Sequence, residues 1–301
     1  PSMSVFMLGR MLQGLGAATG LGLSRTIIRD VTNDPQHFTK LYSGYSTVLC
    51  LAPAASPLLG AYIQHHLNWQ AVFIVLACLY SLQLFSVKYF FSETLATPKK
   101  QQPPLHQLAQ SLRLVMRHRR FLIVSTMSAI TFGLYIAYLT ALPYILQLQL
   151  QQSTIVTAWA MSSLVIGGLS SRILNMQLVK RYSSRTMTRL GIAFLLAATL
   201  SYAALQALHL TTIFSVVIPG ILYVFSTGFL YTAYTATTMN CFPDHVGSAA
   251  GVYSSIQVIG AVVLTTVVSI NHHYDMQLMA WLFAMGALLI LVGYLLTQDS
   301  Q

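Results

Sequence analysis

The chain reads as long apolar runs separated by short polar breaks. A helix needs roughly 20 mostly apolar residues to cross a hydrocarbon core. Nine runs reach that length, near 4–28, 43–64, 70–91, 121–147, 154–175, 190–208, 211–239, 248–270 and 277–297. Lipid offers no partner to an open strand edge, so the runs predict helices. The alternating segments of a membrane β-barrel do not occur. The longest break, 92–120, holds Pro98, Pro103, Pro104, Lys99 and Lys100. Within it Leu105, Leu108, Leu112 and Val115 recur at helical spacing, with Arg113, Arg117 and Arg120 on another stripe. This predicts an amphipathic helix, either lying in the membrane interface or serving as a solvated linker. The expected organisation is a three-helix partial bundle over 1–92, a cytoplasmic linker over 93–120 and a six-helix bundle over 121–301.

Composition agrees. Only 7% of the residues are charged and 55% are hydrophobic, against about a quarter charged in a soluble domain. A net charge of +10 could point to nucleic acid. Its distribution points instead to a membrane face. Taken alternately, the breaks containing 29–42, 92–120, 176–189 and 240–247 hold, with the flanking span ends, nearly all the Lys and Arg, while those near 65–69, 148–153, 209–210 and 271–276 hold none. That is the positive-inside pattern, and it suits anionic lipid rather than nucleic acid. It places the C-terminus in the cytoplasm and Pro1 outside, which leads us to expect further helices upstream.

Cys50, Cys78 and Cys241 lie far apart without metal spacing, and no cofactor or metal is expected. No G-x-x-x-x-G-K-[ST] loop is present, which argues against ATP-driven transport. No enzyme constellation emerges from spacing, and the pairs His65–His66 and His272–His273 fall in breaks.

Chemistry inside the membrane is sparse. All six acidic residues fall in breaks or at span ends, and Arg10 is the one basic residue well inside a span. A charge there costs about 2.5–3.5 kcal/mol on insertion scales, so it marks a function or snorkels to the interface. The same span carries Gly9, Gly14, Gly16 and Gly20, small residues that let helices approach closely. Pro53, Pro57 and Gly60 put two prolines on one face of the second span, fit for a bending gate or for static packing. Thr131, Tyr135 and Tyr138 form one polar stripe, and Tyr223, Thr227, Tyr231, Tyr234 and Thr238 another, with Gln257 in a later span. Such stripes line a cavity for amphipathic cargo or bond neighbouring helices.

Several segments carry a resemblance. Arg10-Met11-Leu12-Gln13-Gly14, followed by Arg29-Asp30, resembles the fourth helix of major facilitator transporters, with its R-x-x-Q-G motif. Ala52-Pro53-Ala54-Ala55-Ser56-Pro57-Leu58-Leu59-Gly60 resembles the fifth-helix motif of drug:proton antiporters, in the double-proline form of the Bcr/CflA drug-resistance subfamily. Asn68-Trp69-Gln70, Glu93-Thr94-Leu95, Leu142-Pro143-Tyr144 and Gly247-Ser248-Ala249-Ala250-Gly251 are similar to further landmarks of that subfamily. The resemblance implies an all-α membrane protein whose nine spans match helices four to twelve of a twelve-helix fold, without helices one to three. It implies a bacterial inner-membrane transporter that exports drugs or other amphipathic molecules against protons. Arg10, Gln13, Gly14, Pro53, Pro57 and Gly60 would serve proton coupling and gating. Tyr135, Tyr138, Tyr231, Tyr234 and Gln257 would line the cavity, and Arg29 and Asp30 would make cytoplasmic charge contacts. Two alternatives accompany this: a non-transporting remnant, or a permease for a non-drug metabolite. The sequence departs from the family where Ala52, Ser56 and Ala61 stand for glycine, and it has no intramembrane carboxylate.

Overall fold

The computed structural model describes residues 2–30, 35–90, 105–179, 181–208, 210, 212–242, 246–270 and 276–298. For parts of the first two helices, Arg29 and Asp30 included, only the backbone is described, so the charge contacts expected of that pair lie outside the described residues. Helices account for nearly all of the rest. They are α1 (Met3–Asp30), α2 (Pro35–His66), α3 (Trp69–Phe90), α4 (Leu105–Arg117), α5 (Arg119–Tyr144), α6 (Thr154–Leu178), α7 (Ser184–Ala207), α8 (Ile213–Asn240), α9 (Val246–Ile270) and α10 (Met276–Gln298). A π-helical turn, Ile145–Gln149, extends α5 just after Pro143, where the ring removes a backbone donor and upsets the regular ladder.

Among the described residues, seven helices are long and apolar enough to cross a membrane by length and composition: α3 and α5 to α10. Nine such spans were expected; α1 and α2 are not among the seven. The amphipathic segment is the short helix α4, with Val115 fully buried and Arg113, Leu114 and Met116 exposed. It packs on α9 and α5.

Side chains cap several helices. The His118 ring accepts from the backbone N–H of Phe121 at 3.2 Å, ending α4 and starting α5. Ser153 and Ser183 cap α6 and α7, and Thr212 with Ser215 forms a reciprocal capping box on α8. Each cap satisfies a donor that the first turn of a helix leaves open.

The chain divides into two compact units. The first comprises 1–53 and 68–102. In it the rings of Phe6 on α1 and Phe73 on α3 meet edge to face at 5.4 Å. None of the side chains of α3 is buried. The second unit comprises 54–67 and 103–301. There α5 lies against α9 and α10, and α8 against α6 and α7, with α5 and α8 also in contact. Phe283 of α10 is an aromatic hub. Its ring centroid lies 5.6 Å from Tyr138 of α5, 5.7 Å from Tyr202 of α7 and 4.7 Å from Tyr223 of α8.

Small residues bring the second unit's helices together. A Cβ added at Gly133 of α5 would lie 2.6 Å from the Gly260 carbonyl oxygen of α9, and one added at Gly260 would lie 2.8 Å from that of Ala129. Gly228 of α8 similarly accommodates Ser171 of α6. Lipid gives no hydrophobic drive between helices, so this close van der Waals approach is what binds them.

Candidate functional site

Hydroxyls buried inside a bilayer must find partners, and many on α5 and α8 return to their own helix. Thr131 donates to the Met127 carbonyl at 2.9 Å, and Thr227 to that of Val224 at 2.6 Å. Others join helices. Tyr138 donates to the Val216 carbonyl of α8, and Tyr223 to the Thr131 carbonyl of α5, both at 2.6 Å. Both rings are fully buried in the Phe283 cluster. Tyr138, expected at a cavity wall, thus stands in the packed interior, pressed against Gly220.

A polar chain crosses three helices. The Gln257 amide of α9 donates to the Ser128 hydroxyl of α5 at 2.7 Å. Ser128 shares a hydrogen bond of 2.6 Å with the Tyr253 hydroxyl, which lies 3.4 Å from that of Thr235 on α8. Ser128 is fully buried, while Gln257 is half-buried. Near this chain, Tyr231 packs edge to face on Phe132 at 6.4 Å. The hydroxyls of Tyr231 and Tyr234 are shielded from solvent, and neither makes a hydrogen bond of good geometry among the described residues. Tyr135 is half-buried. Of the predicted cavity residues, Gln257 therefore belongs to a connected network, and Tyr231 and Tyr234 hold unsatisfied hydroxyls.

Ser128, Tyr253 and Thr235 were missed in the sequence. One signal was available: Tyr253 and Gln257 are four apart and share a helix face.

Arg10 donates to the Gln13 side chain one turn on, at 2.5 Å, and is exposed. Gly14 is exposed and Gly60 half-buried, and at neither does anything among the described residues lie within 4 Å of an added Cβ. α2 runs unbroken through Pro53 and Pro57. Just after Pro53, the Ala54 carbonyl accepts from the buried Ser162 hydroxyl of α6 at 2.8 Å. Among the described residues no cluster of His, Cys, Asp and Glu could hold a metal ion.

The sequence model of the Major Facilitator Superfamily matches residues 1–265. The chain belongs to the Major Facilitator Superfamily. Curated relatives of this superfamily member are distant. It is 21% identical to an uncharacterized MFS-type transporter, YdgK, of Bacillus subtilis over 99% of this chain and 74% of that protein. It is 24% identical to a bicyclomycin resistance protein homolog of Haemophilus influenzae, over 97% of this chain and 73% of the relative. With the multidrug resistance protein MdtL of Klebsiella pneumoniae it shares 24% identity over 86% of this chain and 64% of MdtL. A solved bacterial homologue of the iron transporter ferroportin, in an inward-facing state, shares the fold with a TM-score of 0.62 at 12% identity. That match covers 90% of this chain and 64% of the homologue. The superfamily member is thus a multi-pass membrane protein of the transporter class that spans only part of the length of these relatives.

Proposed function

We propose that the chain moves amphipathic small molecules, drugs among them, out of a bacterial cell across the inner membrane by proton-coupled alternating access. The observation that carries this reading is the polar chain Gln257–Ser128–Tyr253–Thr235, set among apolar helices beside the unpartnered Tyr231 hydroxyl. Polar groups at membrane depth are costly unless they serve a pathway or a partner. Here Tyr135, Tyr231, Tyr234 and Gln257 offer aromatic faces and a few hydrogen bonds, the mix that suits amphipathic cargo. Tyr138 shapes that wall from behind. The two distant relatives named for drug resistance support the same cargo class.

In this reading α1, α2 and α3 correspond to helices four to six, and α5 to α10 to helices seven to twelve, so that nine helices span the membrane with the C-terminus in the cytoplasm. Residues 1–92 act as part of one bundle and 121–301 as the other. Arg10, Gln13 and Gly14 serve proton coupling, and Pro53, Pro57 and Gly60 shape a gating helix that Ser162 braces through the Ala54 carbonyl.

The test is reconstitution of the chain in liposomes with an imposed proton gradient and a fluorescent amphipathic cation. Gradient-driven flux is expected, reduced about tenfold in Gln257→Leu, which takes away one of the two partners of the Ser128 hydroxyl and the polar end of the chain. In Arg10→Ala the flux is expected to lose its proton dependence. Absence of gradient-driven flux in the unaltered chain refutes the transport reading, and Arg10→Ala flux with full proton dependence refutes the role of Arg10.

A further inference from the structure

At one end of the second unit, the first turns of α5 and α7 and the last turns of α8 and α10 line an open cavity of about 260 Å³. Its polar lining includes Arg120, Arg185, Tyr234, Thr237 and Thr297. A second cavity of about 560 Å³ shares Arg120 and Thr237 and adds His118, Arg119 and Asn240. Arg120 is half-buried, and its Nε is shielded from solvent without a hydrogen-bond partner among the described residues. The Tyr234 hydroxyl in the same lining is likewise shielded and makes no hydrogen bond of good geometry to a described residue. Among the described residues, neither lining includes a carboxylate.

The helix ends do not set the sign of the site. Two N-termini and two C-termini meet there, and their dipoles oppose. The side chains set it. A guanidinium presents a planar fork of donors that matches an oxyanion and carries its charge at every pH a protein meets. The smaller cavity has the volume of about nine waters at ~30 Å³ each, enough for a tetrahedral oxyanion and part of its hydration.

We infer that this arginine-lined end of the bundle binds a phosphate-type oxyanion. Arg120 is its anchor, and the Tyr234 hydroxyl donates to it. A free phosphate and the head group of an anionic phospholipid present the same chemistry. The inference does not rest on transport, and binding is measured directly.

The whole 301-residue chain, in neutral detergent, is titrated with inorganic phosphate against chloride at matched ionic strength while thermal unfolding is followed. In parallel it is placed in phosphatidylcholine nanodiscs with and without phosphatidylglycerol. Phosphate, phosphatidylglycerol or both are expected to raise the unfolding midpoint. Stabilisation by phosphate alone identifies a soluble ligand, and by the lipid alone a head group. Arg120→Gln is expected to weaken the effect about tenfold or more, and Arg120→Lys to keep part of it. Arg113→Gln, exposed on α4 outside both linings, is expected to leave it whole. No specific stabilisation in either arm, or an effect unchanged in Arg120→Gln, overturns the inference. Should Arg120→Gln not fold, Tyr234→Phe takes its place; an effect undiminished in both Tyr234→Phe and Arg120→Lys overturns it equally.

Discussion

The contact between α5 and α9 is the most demanding in the second unit, and its tolerance can be worked from distance. Ordinary contact for a Cβ begins near 3.4 Å, whereas a Cβ at Gly260 meets the Ala129 carbonyl at 2.8 Å and one at Gly133 meets the Gly260 carbonyl at 2.6 Å. Alanine would therefore have to open the seam by the differences, 0.6 Å at Gly260 and 0.8 Å at Gly133. The obstacles are backbone atoms of rigid helices, so no side-chain rotation relieves them. A gap of 0.5–1 Å forfeits about a quarter to a half of each van der Waals well along the seam. Overpacking of this kind costs about 1–3 kcal/mol. Each of Gly133→Ala and Gly260→Ala is expected to lose that much, read from the midpoint of unfolding in a denaturing detergent titration. One displacement serves both intrusions, so the double variant should lose clearly less than the sum. Gly251 supplies the control on α9 itself. Nothing among the described residues lies within 4 Å of its added Cβ, so Gly251→Ala should be neutral or should gain up to about 1 kcal/mol of helix propensity. Alanine at 260 behaving like alanine at 251, or strict additivity at 133 and 260, would show that the helices are not in backbone contact.

Two further expectations concern single groups. Tyr223→Phe removes a hydroxyl bonded to the Thr131 carbonyl, which keeps its own helical partner, so the loss should be near 0.6 kcal/mol and below 1.7 in the same titration; a larger value would mean that the hydroxyl is part of a wider network. Burial pushes the Cys241 thiol up while the nearby Arg120 guanidinium pulls it down. Arg120→Gln removes the lowering influence, raises the thiol further and leaves less thiolate at a fixed, mildly alkaline pH. In a chain with Cys50 and Cys78 replaced by serine, maleimide labelling of Cys241 should therefore slow, and an equal or faster rate would contradict the electrostatic contact.

The helices were legible because lipid permits so little else. A run such as 121–147 can only be a helix at that depth, and the spacing of Leu105, Leu108, Leu112 and Val115 foretold α4. Which helices pack together was not legible. Gly133 and Gly260 are 127 positions apart in the chain, and nothing local to either says that they meet. The stripe Tyr135–Tyr138 illustrates the same limit at the site. Sequence spacing puts both on one side of α5, but their depth depends on Gly220 and Phe283, which belong to other helices. Arg120 shows the same limit. Its place in a basic stripe left it open as a lipid-facing or a solvated charge, and only the packing shows its Nε shielded between helix ends.

The position of Phe283 has a consequence for biogenesis. The three tyrosines that surround it belong to α5, α7 and α8, all made earlier, while Phe283 itself comes on the last helix. A ribosome that has released α5 to α9 has produced a bundle with a missing keystone. Quality control therefore has a checkpoint to inspect: chains ending before 283 retain those three tyrosines and most of the apolar spans, yet hold an aromatic gap where α10 closes the bundle.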